Sequence, residues 1–403
     1  MNSYTLVIYL SGIVVISYLY NIVSRKTRVP SVLLLLGTGI FLRNFFDGKL
    51  LPFDVISKGV ETLGIIGLIM IILEAALDLN IRKDKLLMIG KAFSSALIIL
   101  IFSSFFIAYL MNYMLKEPFV NCLIYAVPLS IVSSAIVLPS VDMLTPERKE
   151  FIIYEASFSD ILGILFFNYL ISVEQFTPLS GVMYAGNIIL GTCLSFVVAL
   201  VLIYLMSKIT LHVKFFLMFA VLIGLYTIGK LLKLPSLIII LLFGLLVNNP
   251  ALIRPKVLLK YINLDSFKKL GEQLKDITAE TSFIVRTFFF LLFGYSINTA
   301  VLIEKDVLVI GSMIVVLLLI VRFTFLKYLN PKENPLPELL IMPRGLITIL
   351  LFYNIPKVHT LVNFNQGILF FVILVTSFLM MIGLLFTKKD VVEEIESSDH
   401  HML

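Results

Sequence analysis

The chain is dominated by long runs of apolar residues, separated by short segments that carry most of the charges. A soluble protein of this size alternates apolar and polar positions to keep a wet surface, and this chain hardly does so. A helix crosses the hydrocarbon core of a bilayer with about 20 predominantly apolar residues. The pattern therefore predicts an all-α polytopic membrane protein with thirteen spans, at 4–23, 29–42, 60–79, 87–115, 119–143, 149–173, 180–207, 213–230, 234–249, 278–303, 307–327, 337–354 and 363–387.

The basic residues are divided unevenly between the two sets of loops. If the N-terminus lies outside, the inner segments hold 21 Lys and Arg residues and the outer loops hold eight. Positive charge stays on the cytoplasmic side, so we expect the N-terminus outside and the C-terminus in the cytoplasm, in the cell (inner) membrane. The net charge of +6 then gives no reason to expect a nucleic-acid partner. No Gly-rich phosphate loop occurs outside an apolar span, and no cofactor is expected.

Two distant segments resemble each other. They read VPSVLLLLGTGIFLRN at 29–44 and LPSLIIILLFGLLVNN at 234–249. The residues that match at one fixed offset are Pro30 and Pro235, Ser31 and Ser236, Leu36 and Leu241, Gly39 and Gly244, and Asn44 and Asn249. The alternative is a chance match between two apolar helices that each start at a proline. Because these are the second and ninth spans, they cross in opposite directions, which predicts two inverted five-helix repeats, spans 2–6 and 9–13.

The fourth helix of each repeat contains residues that interrupt helices. In span 5, Pro128 and Pro139 flank Ser133 and Ser134, and span 12 contains the run 343–345, which reads PRG. Proline removes a helical N–H group and glycine permits unwinding, so we expect two crossed broken helices. An ordinary proline kink is the alternative for either span alone. Unwound backbone at this depth is tolerated only where protein or a water-filled cavity satisfies its polar groups.

Asp160 is the polar residue that demands most explanation. It lies about 15 Å of helical rise beyond Glu150, near the middle of a hydrocarbon core about 30 Å thick. A charge at that depth needs a partner, a proton or a bound cation. Hard monovalent cations prefer oxygen ligands, which Asp160, Ser159, Ser133, Ser134 and freed carbonyls could supply. We therefore predict that Asp160 binds either a cation or a proton, the alternative being a purely structural hydrogen-bonded acid.

The remaining buried charges suggest partners for one another. Glu155 is predicted to pair with Arg322 of span 11, because arginine cannot lose its charge and a single buried charge is costly. The alternative is that Arg322 reaches the inner surface. Arg344 is expected to offset carbonyls and helix-end dipoles at the break of span 12. Glu74 and Asp78, four residues apart in span 3, form either an inner funnel for cations or a pH sensor, or merely a solvated helix end.

Several of these stretches resemble the monovalent cation/proton antiporters, the sodium/proton exchanger superfamily. EASFSD at 155–160 is similar to the family's ESxxND signature, and PRGLIT at 343–348 resembles its LRGAxx segment. VSSAIVL at 132–138 and LEAALDL at 73–79 resemble the SSTAIVL and GLELDL of relatives associated with potassium efflux. Arg322 stands where the family has its core basic residue. The combination covers the whole chain.

The resemblance implies a sodium/proton antiporter fold, a homodimer, and a transport domain that moves against a dimerisation domain. The implied domains are 1–86 (dimerisation), 87–175 (transport), 176–210 (linker helix), 211–306 (dimerisation, with a cytoplasmic connector at 250–276), 307–387 (transport) and 388–403 (cytoplasmic tail). The chain departs from the family at two places. Ser159 replaces an Asn or a second Asp, which affects proton stoichiometry, and Ser133 with Ser134 replaces Thr-Asp, which affects the choice of cation.

The expected function is antiport of Na⁺, or else Li⁺ or K⁺, against H⁺ by alternating access. One alternative is a sodium-coupled organic-anion symporter on a similar fold, which would show a large apolar cavity around an anion site. Another is a gated cation channel, which would conduct far faster than a carrier. An enzyme is not expected, because no Ser/His pair or metal-ligand cluster falls at one depth of the membrane.

Overall fold

The computed structural model describes residues 3–27, 29–46, 53–79, 81, 83–142, 144–172, 178–208, 214–231, 236–249, 264–329, 331 and 334–400. Within these residues the regular structure is helical, without a strand. The helices are α1 Ser3–Thr27, α2 Ser31–Phe45, α3 Phe53–Asp78, α4 Leu86–Leu115, α5 Phe119–Ser130, α6 Ser134–Val137, α7 Pro146–Ser172, α8 Pro178–Lys208, α9 Lys214–Leu231, α10 Ser236–Asn248, α11 Leu264–Ser296, α12 Thr299–Leu302, α13 Lys305–Leu329, α14 Leu346–Tyr353 and α15 Gly367–His400.

The predicted fold class is confirmed. Seven segments of the described chain are long and apolar enough to cross a membrane, and four shorter apolar helices accompany them. Every predicted span coincides with a helix or with a broken helix. The apolar runs form helices because the interior of a bilayer offers no partner for backbone N–H and C=O groups, so each run must satisfy them within itself.

Both predicted helix breaks are present. Span 5 divides into α5 and the one-turn helix α6, which are joined by the extended residues 131–133. In span 12, residues 341–345 have no regular secondary structure, and α14 begins only at Leu346. We refer to residues 131–133 and 341–345 together as the crossing. The two unwound segments contact each other there, since the Ser133 N–H donates to the Pro343 carbonyl at 2.9 Å.

Helices α11 and α15 extend furthest beyond their predicted bounds. Helix α11 begins at Leu264, inside the predicted connector 250–276, and continues without interruption into span 10. Its first part places apolar residues three or four positions apart among charged ones, a spacing that favours an amphipathic helix over a loop. Helix α15 likewise continues through the predicted tail to His400. The rest of the connector and Pro235, one of the matched residues of the second repeated segment, lie outside the described residues.

The chain forms two compact units. The first contains residues 1–64, 87–171 and 287–403, and the second contains 65–86 and 172–286. In the first unit, α13 packs on α15 and α5 packs on α14. In the second unit, α10 packs on α8 and α9. The first unit contains the crossing and nearly all of α7.

Matched glycines of the two repeats make matched contacts. A Cβ atom on Gly39 of α2 would lie 2.3 Å from the Leu291 carbonyl oxygen of α11. A Cβ atom on Gly244 of α10 would lie 2.7 Å from the Ala76 Cβ of α3. Helices α2 and α10 correspond in the repeat, as do α3 and α11. Each glycine therefore lets the first helix of one repeat approach the second helix of the other.

The ends of the same helices are also joined in matched fashion. Arg43, near the end of α2, donates to the carbonyls of Tyr295 and Ser296 at 3.1 and 2.9 Å. Asn249, at the end of α10, donates to the Leu79 carbonyl at 2.8 Å and accepts the Ile81 N–H at 2.7 Å. These side chains satisfy backbone groups that have no partner at a helix end. The repeated segments thus differ in sequence and share a packing role.

We predict that Gly39→Ala destabilises the protein by about 1–3 kcal/mol, because the added methyl group overlaps the backbone of α11. Gly37→Ala in the same helix is the matched control, since no atom lies within 4 Å of the position that its Cβ would take. The control should be neutral or stabilising by up to about 1 kcal/mol, as expected for Gly→Ala in a helix. Thermal unfolding in detergent measures both, and equal shifts would contradict the close-contact interpretation.

Candidate cation site

The polar side chains of α7 lie buried inside the first unit. Glu155, Ser159 and Asp160 are only 1–2% exposed. Glu155 and Ser159 are four residues apart and lie on one face of the helix, whereas Asp160 points about 100° away from Ser159. One helix therefore presents two carboxyl groups to different surroundings.

Asp160 is held by the backbone break in span 5. Its Oδ2 atom accepts the Ser134 N–H at 3.0 Å and the Ser134 hydroxyl at 2.5 Å. Its Oδ1 atom is buried and accepts no hydrogen bond, and no Lys or Arg of the described residues forms an ion pair with it. A buried carboxyl oxygen without a partner is rare in native proteins and requires an explanation.

The neighbouring hydroxyl groups differ in what they do. The Ser159 Oγ atom accepts the Val132 N–H at 3.0 Å, so it satisfies a backbone group that the break leaves free. The Ser133 Oγ atom is buried and makes no hydrogen bond. The Ser134 hydroxyl therefore bonds the carboxylate and the Ser159 hydroxyl bonds the backbone, whereas the Ser133 hydroxyl makes no hydrogen bond.

Two glycines permit the close approach of these elements. A Cβ atom on Gly345 would lie 2.6 Å from the Ser133 Oγ atom, and one on Gly163 would lie 2.3 Å from side-chain atoms of Ile131. Gly163 is three residues after Asp160, on the part of α7 that faces the break. A side chain at either position would push the extended residues 131–133 away from their neighbours.

Arg344 projects from the unwound part of span 12 and binds backbone carbonyls. Its guanidinium group donates to Leu129 at 2.8 Å, to Ser130 at 3.3 Å and to Met342. The first two carbonyls end α5, where the helix dipole places partial negative charge. Arg344 is 1% exposed and makes no ion pair with a described carboxylate. The positive charge of Arg344 thus lies against these carbonyls at the end of α5.

Arg322 and Glu155 form a buried ion pair. The guanidinium NH1 and NH2 groups donate to the two carboxylate oxygens at 3.0 and 2.7 Å, and both side chains are 1% exposed. Two parallel N–H···O bonds of this kind are the strongest arrangement for such a pair. Ser95 of α4 adds a hydroxyl bond to Glu155 Oε1 at 2.6 Å, and the Glu338 carbonyl accepts the Arg322 Nε–H at 2.8 Å. Every charged atom of the pair therefore has a partner.

Glu74 and Asp78 both have cationic partners in the second unit. Glu74 lies 3.2–3.3 Å from the guanidinium group of Arg286, and Asp78 lies 2.6 Å from the Lys275 ammonium group. Nearby on α11, the Ser282 side chain is fully buried. These ion pairs do not test whether Glu74 and Asp78 form a cation funnel or a pH sensor, so that role stays a prediction.

Some partners of the buried polar groups, including Arg286 in the second unit, were not predicted from the sequence. The sequence did contain a sign of the Arg286–Glu74 pair, because an arginine within an apolar helix requires a carboxylate partner. Ser95 and Thr376, which accepts the Arg344 N–H at 3.1 Å, offered none. Serine and threonine in apolar helices usually bond the preceding turn, so sequence does not distinguish those that also contact another element.

The arrangement as a whole is that of a secondary transporter with inverted repeats. It has two broken helices that cross inside a membrane protein, and a buried carboxylate beside the break with one unsatisfied oxygen. The backbone N–H and the hydroxyl of Ser134 hold its other oxygen. Such a site could take up a small cation or a proton in exchange for one another.

Comparison with known proteins places the chain among such transporters. The family described as "Sodium/hydrogen exchanger, transmembrane" matches residues 12–387, so the chain belongs to this family. The structure of the sodium proton antiporter MjNhaP1 from Methanocaldococcus jannaschii at pH 8 is similar, with a TM-score of 0.67 at 18% identity over 96% of each chain. An electron-microscopy structure of MjNhaP1 gives a TM-score of 0.65 at the same identity and coverage. No curated protein sequence matches the chain.

We predict that neutralising either member of the Glu155–Arg322 pair lowers the unfolding free energy by about 3–5 kcal/mol, because the partner is left as a single buried charge. The variants are Glu155→Gln and Arg322→Gln, and the double variant should recover much of the loss. Thermal unfolding of the four proteins measures the coupling.

The matched control is the exposed pair of Asp142 and Lys149, whose atoms lie 2.8 Å apart. Neutralising one of these should change the unfolding free energy by less than about 1 kcal/mol. If the effects of the two buried substitutions simply add, Glu155 and Arg322 are not energetically coupled.

Proposed function

We propose that this protein exchanges a monovalent cation for H⁺ by alternating access, with Asp160 as the shared binding site. The observation that carries the proposal is the environment of Asp160. Its carboxyl group is buried, one oxygen is held by Ser134, and the other oxygen has no partner. Bare charge is costly in such a place, so the group requires either a proton or a cation.

The cation would be held entirely by oxygen atoms. Asp160 supplies the charge, and the hydroxyls of Ser133 and Ser134 and the carbonyls freed at the break complete the set. Ser159 contributes less directly, because its oxygen already accepts the Val132 N–H. Oxygen ligands of this kind suit hard cations, and Na⁺ is our first choice because the similar MjNhaP1 is described as a sodium proton antiporter, with Li⁺ and K⁺ as further candidates.

The other buried charged groups leave Asp160 as the one group of the site that exchanges a cation for a proton. Glu155 is neutralised by Arg322, and the guanidinium group of Arg344 rests on carbonyls, so Glu155 has no need to gain a proton and Arg344 no need to lose one. Ser159 cannot ionise. One titrating carboxylate then binds one cation or one proton, and the exchange is electroneutral.

Movement of the site between the two sides would follow the domain division that the resemblance implies. Residues 87–175 and 307–387 would form the transport domain, and residues 1–86 and 211–306 would form the dimerisation domain of a homodimer. The protein would lie in the cell's inner membrane with its N-terminus outside, and pH homeostasis is the corresponding physiological role. The distribution of basic residues between the loops supports this orientation.

Replacing Asp160 by Asn should abolish exchange, because the amide can neither bind a proton nor balance a cation. The measurement is Na⁺-driven H⁺ movement in proteoliposomes, together with thermal unfolding to show that the variant inserts and folds. Asp142→Asn, at an exposed position, is the control and should keep normal exchange. Substantial exchange by the Asp160 variant would sink the assignment.

Electroneutral exchange predicts that the membrane potential has no influence on the rate or the end-point. Liposomes clamped at different potentials with valinomycin and K⁺, with Na⁺ as the test cation, measure this. Activity should also fall at low pH, because protons compete with cations for the one carboxylate, and high Na⁺ should relieve the inhibition. A rate that follows the imposed voltage would show that a second group, such as Glu155, carries a proton.

A further inference from the structure

Helix α15 contributes one polar contact to the crossing, through Thr376. Its side chain is fully buried, next to the equally buried Ser377, in a mostly apolar part of the helix. The Oγ1 hydroxyl donates to the Val372 carbonyl one turn earlier, at 2.7 Å, and accepts the Arg344 N–H at 3.1 Å. The first bond is common for threonine in a helix, but the second reaches a different element.

The Arg344 N–H needs this acceptor because of where it lies. It belongs to the unwound residues 341–345, just before α14, and no side chain caps the start of that helix. Buried backbone N–H groups are almost always paired. The Thr376 hydroxyl is the partner that the structure provides.

Fixing the backbone of Arg344 also fixes its side chain. The guanidinium group binds the Leu129 and Ser130 carbonyls, which end α5. The chain runs from there through the extended residues 131–133 to Ser134, whose N–H and hydroxyl hold Asp160. Hydrogen bonds and the intervening backbone thus link Thr376 to Asp160.

We propose that Thr376 is a positioning residue that sets the cation affinity of the site at Asp160 without touching the ion. This inference rests on the proposed function. Thr376 would act through the backbone of Arg344: without the acceptor, the unwound residues shift to find another partner for the N–H group. The Arg344 guanidinium and the end of α5 shift with them, and the oxygens around Asp160 lose their spacing.

Thr376→Val tests this because valine keeps the shape of threonine and removes the acceptor. Loss of a residue that positions metal ligands without binding the metal typically lowers metal affinity about tenfold or more. The apparent KM for Na⁺ should therefore rise by about tenfold. The Li⁺/Na⁺ preference should change as well, since the spacing of the oxygens changes. Thr376→Ser keeps the hydroxyl and should stay within about twofold of the wild type in KM.

The matched control is Thr324→Val in α13. Thr324 makes the same bond to its own helix, to the Ile320 carbonyl at 2.8 Å, but is exposed and accepts no bond from the crossing. Its KM should equal that of the wild type. Each variant is assayed for KM, maximal rate and thermal unfolding, because a merely structural role for Thr376 would lower stability and leave KM and ion preference unchanged.

Normal KM and ion preference in Thr376→Val would overturn the inference. If that variant does not fold, Thr376→Cys replaces it, because the thiol is a weak acceptor of similar size. Its KM should then exceed that of Thr376→Ser, and equal values would overturn the inference. Asp160→Asn, measured in the same liposomes, separates the two proposals: residual exchange contradicts the site at Asp160, whereas an inactive Asp160→Asn with a normal Thr376→Val contradicts only the role of Thr376.

Discussion

The crossing of the two broken helices imposes the constraint on which the rest of the site depends. Backbone N–H and C=O groups at this depth have no water to bind, and each one left unpaired is costly. The protein satisfies them with one another, as in the bond from Ser133 to Pro343, and with side chains of other helices. Ser159 and Thr376 each accept one N–H group, and Arg344 binds the carbonyls that end α5. These side chains therefore stabilise the unwound backbone by bonding its N–H and C=O groups.

Charge is distributed around the crossing by the same reasoning. Arg322 and Glu155 neutralise each other with two aligned bonds, and Ser95 with the Glu338 carbonyl takes up further capacity. Arg344 is balanced by partial charges of the backbone. One oxygen of Asp160 has no hydrogen-bond partner, and this carboxyl group lies beside the break in span 5. The paired charges stabilise the fold, whereas the unpaired carboxylate oxygen of Asp160 is available to bind an ion.

The repeat in the sequence becomes meaningful only through packing. Gly39 and Gly244 are matched in the two repeats, and each lies where a side chain would overlap the neighbouring helix. The atoms that they would contact, the Leu291 carbonyl oxygen and the Ala76 Cβ, belong to helices that also correspond. The short match between two apolar segments thus reflects a shared geometric requirement, which explains why glycine recurs while the residues around it vary.

The sequence alone determined the helical architecture, the places where two helices break and the buried charges that needed partners, because hydrophobic length, proline position and the cost of burying charge are local properties. Tertiary structure decided which groups meet. It gave Glu74 the partner Arg286, recruited Ser95 and Thr376 from distant helices, and assigned Ser159 to the backbone instead of to the carboxylate. These contacts join residues up to 212 positions apart. No spacing rule predicts them, since the direction of a hydroxyl in an apolar helix follows from the packing of the whole bundle.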